Sequence, residues 1–105
     1  MMVENSLITL LQNKIYDYYE KHKYGIKIFL FGSTLSKSTP GDIDLLIVYD
    51  ASKITPEIVV GIKKRLQKMV FESTNLFVDI CMLSLSETRQ SKFIQEERCE
   101  PLFKE

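Results

Sequence analysis

Three aspartates are placed where they could do chemistry together. Asp42 and Asp44 open the run Asp-Ile-Asp-Leu-Leu-Ile-Val-Tyr, and Asp79 is the only charged residue between Leu76 and Leu83. On an extended strand, residues two apart leave the same face with about 7 Å of rise between them, so the carboxylates of Asp42 and Asp44 can turn onto shared cations. Asp79, buried in an apolar strand, would be costly without a partner. Carboxylates gathered at one point repel, a divalent cation relieves that repulsion, and oxygen donors select hard ions such as Mg²⁺ or Mn²⁺.

Gly32-Ser33 follows the apolar run Ile26-Lys27-Ile28-Phe29-Leu30-Phe31. A glycine there lets the backbone come close to a phosphate, and a serine at the start of a helical turn offers both a hydroxyl and an amide. An Asp-x-Asp pair alone is a weak signal, since solvated carboxylates at a strand entrance are common. Together, the Gly-Ser turn, the Asp pair and the later lone Asp fit one arrangement in which a phosphate site faces a metal site.

The elements that must position these residues can be read from periodicity. Leu7, Ile8, Leu10, Leu11, Ile15, Tyr18 and Tyr19 recur at helical spacing, with Asn5 or Ser6 as a cap, with Lys21, His22 and Lys23 in the last turn, and with Gly25 as a left-handed stop. Ile26–Phe31 reads as a first strand and Ile43–Tyr49 as a second, separated by a polar segment from Ser33 to Gly41. Thr55-Pro56 opens a helix with Ile58, Val59, Ile62, Leu66, Met69 and Val70 on one face, ending near Phe71. Leu76–Leu83 is a third strand, and Ser84 with Glu87 marks the capping box of a last helix running to about Glu97. Pro101-Leu102-Phe103 adds a short extended piece. This order predicts a small mixed sheet of three or more strands flanked by helices, an α/β (α+β) fold: antiparallel across the short turn from Phe31 to Asp42, and parallel across the helical crossover from Asp42 to Leu83. In the parallel pair, Asp79 would stand level with Asp44.

The chain of 105 residues is the length of one domain, 1–105, that buries roughly 65% of its extended surface. Fourteen basic residues balance fourteen acidic ones, which argues against a grip on nucleic acid through a broadly basic surface and leaves only a local patch. The apolar runs are strand-sized, so no membrane span is expected and residence in the cytoplasm follows. Cys81 and Cys99 have neither zinc-like spacing nor a disulfide framework, and read as buried or bystander thiols. Lys63, Lys64, Arg65 and Lys68 read as the wet side of a helix, and Tyr16, Tyr18, Tyr19 and Tyr24 as packing over the core.

Phe31-Gly32-Ser33, an eight-residue gap and Asp42-Ile43-Asp44-Leu45 resemble the signature of the DNA polymerase β nucleotidyltransferase superfamily, and the size of the chain resembles its minimal nucleotidyltransferase branch. The resemblance runs from the first helix to Glu100-Pro101-Leu102-Phe103 and places Asp79 where that family has its third acidic residue. It implies a nucleotidyltransferase-like fold in which Asp42 and Asp44 bind two ions, Mg²⁺ or Mn²⁺, and Asp79 binds the catalytic one, while Gly32 and Ser33 hold the β and γ phosphates of a nucleoside triphosphate. The implied reaction moves a nucleoside monophosphate, AMP from ATP, onto an acceptor hydroxyl and releases pyrophosphate. The implied partner is a HEPN-domain protein, in a toxin–antitoxin pair; the sequence itself leaves homo- and hetero-oligomers both open. The chain departs from the branch in its short gap and in Thr34-Leu35-Ser36-Lys37, where an arginine with small residues is usual. Lys37 can supply the basic phosphate contact, or it is a solvated loop lysine.

Two other functions compete. A catalytically inactive protein of the same fold would work by covering a partner's surface; the three retained carboxylates argue against it and the altered loop for it. A transferase acting on an antibiotic or a tRNA would need helical domains that a second subunit would have to bring.

Overall fold

Within Ile26–Phe31, buried Ile26, Ile28 and Leu30 alternate with more exposed Lys27, Phe29 and Phe31, the period of a strand with one face on a core. The computed structural model describes residues 2–31, 42–91 and 99–103. Its elements are α1 (Met2–His22), β1 (Ile26–Phe31), β2 (Asp42–Tyr49), α2 (Pro56–Thr74), β3 (Phe77–Ser84), α3 (Leu85–Ser91) and β4 (Cys99–Pro101). The strands form one mixed sheet in the order β3-β2-β1-β4. As expected, β1 and β2 are antiparallel and β2 and β3, joined through α2, are parallel. The extended piece near Pro101 adds β4, antiparallel to β1.

One face of the sheet carries the core. Leu11 and Ile15 of α1 and Val59, Ile62, Leu66 and Val70 of α2 meet Ile28 and Leu30 of β1, Ile43, Leu45 and Ile47 of β2, and Val78 and Ile80 of β3. On the other face of β2, Leu46 and Val48 are buried too, and α3 packs against β2 and β3. A strand covered on both faces should be almost continuously apolar, as Leu45–Val48 is after the two aspartates.

Four expectations about the helices are corrected. α1 begins at Met2, so Asn5 and Ser6 lie inside the helix instead of capping it; polar residues near a helix start cost only a few tenths of a kcal/mol, too little to stop it. Gly25 is not in the left-handed region. Its amide donates to the His22 carbonyl at 2.8 Å and its carbonyl accepts from the Asp50 amide at 2.9 Å. A Cβ there would stand 3.2 Å from Ile54 Cβ and Cγ2, so this glycine serves close approach. α2 runs three residues past Phe71 to Thr74, and Asn75 stops it at φ 59° and ψ 16°, with its amide on the Phe71 carbonyl. Ile58 lies off the buried stripe and is 48% exposed.

Other local signals hold. Thr55 Oγ1 accepts from the Ile58 amide, with Pro56 beginning the helix. The capping box of α3 closes in both directions, Ser84 amide to Glu87 Oε1 at 2.8 Å and Glu87 amide to Ser84 Oγ at 3.2 Å. The predicted extension of that helix to Glu97 lies beyond Ser91, outside the described residues. Gln12 Nε2 donates to the Leu102 carbonyl at 2.9 Å and the Leu102 amide to the Ile28 carbonyl at 2.8 Å, tying the exit of β4 to α1 and β1.

Two outcomes test this frame. Gly61 sits inside α2 and a Cβ there meets nothing within 4 Å, so Gly61→Ala raises the unfolding free energy by roughly 0.5–1 kcal/mol in denaturant titration. At the exit of β2, the hydroxyl and then the amide of Ser52 hold the Asp50 carboxyl below its ordinary pKa, with Lys53 adding to the effect. A depressed carboxyl stabilises the fold above the ordinary carboxylate range, and that contribution disappears as pH falls through the folded value. Carbon-detected NMR titration will place Asp50 below an ordinary aspartate, and Ser52→Ala will bring it back up.

Candidate active site

The parallel register of β2 and β3 sets Asp44 beside Asp79. Hydrogen-bonded neighbours lie about 4.8 Å apart at the backbone. Asp44 falls between the core residues Ile43 and Leu45, and Asp79 between Val78 and Ile80. Alternation therefore turns both carboxylates to the sheet face opposite α1 and α2. Asp44 is half-buried on the inner strand, and Asp79 is exposed on the outer one. The pair is thus a like-charged couple at one level of the sheet, as the parallel arrangement predicted.

Asp79 is not buried, contrary to the expectation from its apolar neighbours. β3 has β2 on only one side, and its burial pattern alternates Phe77 exposed, Val78 buried, Asp79 exposed, Ile80 buried. Desolvation therefore gives no reason for a cation at Asp79; the feature that would favour one is the neighbouring carboxylate of Asp44.

The same level continues across the sheet. Phe31, the last residue of β1, is paired with Asp44 and with Cys99 of β4. The chain leaves β1 from the level of Asp44 and rejoins the sheet at Asp42, whose backbone pairs with Phe77. Gly32, Ser33 and Lys37 lie outside the described residues, as does the side chain of Asp42. Of the candidate residues, Asp44 and Asp79 are brought together by the described structure. Among the described residues, no group of three His, Cys, Asp or Glu side chains is placed to hold a metal ion; the third carboxylate of the candidate set belongs to Asp42, whose side chain is not described.

Cys81 reports the field at this site. Burial pushes its thiol above the ordinary pKa, the Asp79 and Asp44 charges push it further, and Lys63 of α2 opposes them. The thiol thus sits two residues from Asp79 on the same face, within reach of both carboxylates. Cys81 and Cys99 form no disulfide with each other, and both are half-buried. Lys64, Arg65 and Lys68 are exposed, as the wet face of α2 should be, whereas Lys63 is half-buried.

A concavity missed from sequence lies near the opposite end of β1. It is a cleft of about 630 Å³ lined by Tyr16, Tyr19, Glu20, Lys23, Tyr24, Lys27 and Phe103. Tyr19 stacks on Phe103 at 4.3 Å and packs as expected, but Tyr24 is 80% exposed. The only sequence signal was an excess of tyrosine over what a helix needs for packing. No helix among the described residues is long and apolar enough to cross a membrane.

Like charges directly opposite on neighbouring strands destabilise a sheet. Asp79→Asn will therefore raise thermal stability by about 0.2–1 kcal/mol in chelator at low salt, and added Mn²⁺ will raise the melting temperature of the wild type more than that of the variant. Equal shifts for the two proteins would remove Asp79 from any cation site. Compared with protein-family models, curated proteins and solved structures, the chain matches none of them, so the reading of this site rests on its own residues and geometry.

Proposed function

We infer that the aspartate end of the sheet is the catalytic centre of a metal-dependent nucleotidyltransferase that moves a nucleoside monophosphate, AMP from ATP, onto an acceptor hydroxyl. The observation that carries this reading is the register of Asp44 with Asp79 on the face away from the core, at the level where β1 delivers the chain to Gly32-Ser33. It also fits the nucleotidyltransferase-like arrangement that the sequence resembles.

The donor chemistry suits the implied ions. Carboxylate oxygens are hard ligands, Asp44 and Asp79 sit at one level, and Asp42 lies two residues before Asp44, so these three would hold Mg²⁺ or Mn²⁺. Bound there, two such ions would lower the pKa of the acceptor hydroxyl and stabilise charge on the attacking and leaving oxygens.

The chain's own groups would divide the remaining work. Gly32 and Ser33 would hold the β and γ phosphates through backbone and hydroxyl, with Lys37 adding a point charge. Asp79, exposed on an outer strand, is open to a large acceptor and could take the hydroxyl proton, a role worth about 10² to 10⁴ in rate. The acceptor oxygen then forms a bond to the α-phosphorus as the bond to pyrophosphate breaks. An exposed Asp79 favours a hydroxyl presented on a protein surface, which fits a HEPN-type partner in a toxin–antitoxin pair.

The test is incubation with α-labelled nucleoside triphosphates, Mg²⁺ and candidate acceptor proteins. Label moves to the acceptor with the wild type and falls by at least about 10²-fold with Asp44→Asn or Asp79→Asn. Transfer indifferent to both substitutions would sink the assignment. Binding of the acceptor with no transfer under any condition would instead support a protein that acts by covering its partner.

A further inference from the structure

The outer side of β3 is blocked at both ends. Gln67 Nε2 of α2 donates to the Val78 carbonyl at 3.1 Å, and the Ser84 amide donates to Glu87 Oε1 at 2.8 Å. The N–H and C=O of one strand residue point to the same side, and those of the next to the other. Val78, Ile80, Met82 and Ser84 therefore turn their backbones outward, while Asp79, Cys81 and Leu83 turn theirs toward β2. Between the blocked ends, Ile80 and Met82 present amides and carbonyls that pair with no other strand among the described residues.

Two outward residues separated by one inward residue are self-complementary about a twofold axis through Cys81. We propose that this edge joins a second copy of the chain, β3 against β3 in antiparallel register, with Ile80 of each copy opposite Met82 of the other. Four N–H···O bonds form. Sliding the pair by two residues would bring the occupied Val78 carbonyl or Ser84 amide against a free group, so one register is selected.

The flank of the edge agrees. Val60, Lys63, Gln67 and Phe71 recur at helical spacing on the side of α2 that reaches β3. Val60, Phe71 and Phe77 are exposed apolar side chains, the last two stacked at 5.0 Å, and they form an apolar margin beside the outer edge of β3. In this register each Asp79 stands opposite Leu83, so no carboxylates face each other across the seam. Native sheets usually guard such edges with charged side chains, proline or a bulge; β3 has no lysine and no proline, and its one charge is Asp79.

The pairing puts the two Cys81 residues directly opposite at a non-hydrogen-bonded site, where Cα atoms stand about 4.5 Å apart, within disulfide range. Sedimentation velocity under reducing conditions will show a dimer at about 100 μM, the behaviour of a micromolar complex. Oxidised glutathione will then cross-link the copies in wild type and Cys99→Ser but not in Cys81→Ser. Cys81→Arg, checked for an unchanged circular dichroism spectrum, will weaken the dimer by at least about tenfold, because it sets two cations face to face. A monomer at every concentration overturns the proposal, as does a dimer that cross-links through Cys99 or ignores Cys81→Arg.

Discussion

The structure depends on β2 being covered on both faces. Ile43, Leu45 and Ile47 face the helices, and Leu46 and Val48 are buried on the other side. A strand in that position cannot slip, because a shift of one residue would exchange its two apolar sets and drive Asp44 into the core beside Leu11 and Val59. Fixing β2 fixes its neighbours: β1 by the antiparallel ladder from Ile26–Tyr49 to Phe31–Asp44, and β3 by the parallel ladder that ends in Tyr49–Ser84. The aspartates are thus held at one level by packing some residues away from them, and loss of a buried methyl group in β2 would reach the site through register before it reached it through contact.

Position in the sheet also sets how the two carboxylates differ. Asp44 lies on the inner strand with neighbours on both sides and is half-buried, whereas Asp79 lies on the outer strand and is exposed. An inner carboxylate is held more rigidly and desolvated further; an outer one can swing and meet a large partner. If one group is to fix ions and the other to meet an acceptor, this is the division the sheet provides. Lys63 adds an asymmetry, since its charge reaches Cys81 from the helical side and offsets part of the field of the pair.

Much of this frame was legible in the chain because its signals were redundant. The ladder β1-β2-β3 followed from a short polar connection on one side and a helix-length one on the other, and the Asp44–Asp79 level from counting along two parallel strands. The capping box Ser84–Glu87 and the Thr55-Pro56 start each name a hydrogen bond that the fold contains. What failed depended on context that periodicity does not carry. Whether Asp79 is buried depends on whether a further strand lies beyond β3, and a single apolar run reads the same in either case. Gly25 looked like a left-handed stop because glycine usually is one, yet its role is to clear Ile54, 29 positions away.

The helix ends show the same limit at smaller scale. Asn75, not a glycine, takes the left-handed position after α2, and asparagine pays less for that conformation than most side chains. The sequence pattern ends this helix near Phe71, but Ser73 Oγ and Thr74 Oγ1 turn back to the carbonyls of Met69 and Val70, and both residues remain helical. Thr74 Oγ1 also accepts from the Leu76 amide at 3.1 Å, which aims the chain into β3 directly after the cap. This turn therefore delivers β3 in the phase that its ladder with β2 requires, with Asp79 on the face away from the core. A helix ending one residue earlier would, with the same connection, deliver β3 in the opposite phase and point Asp79 at the core.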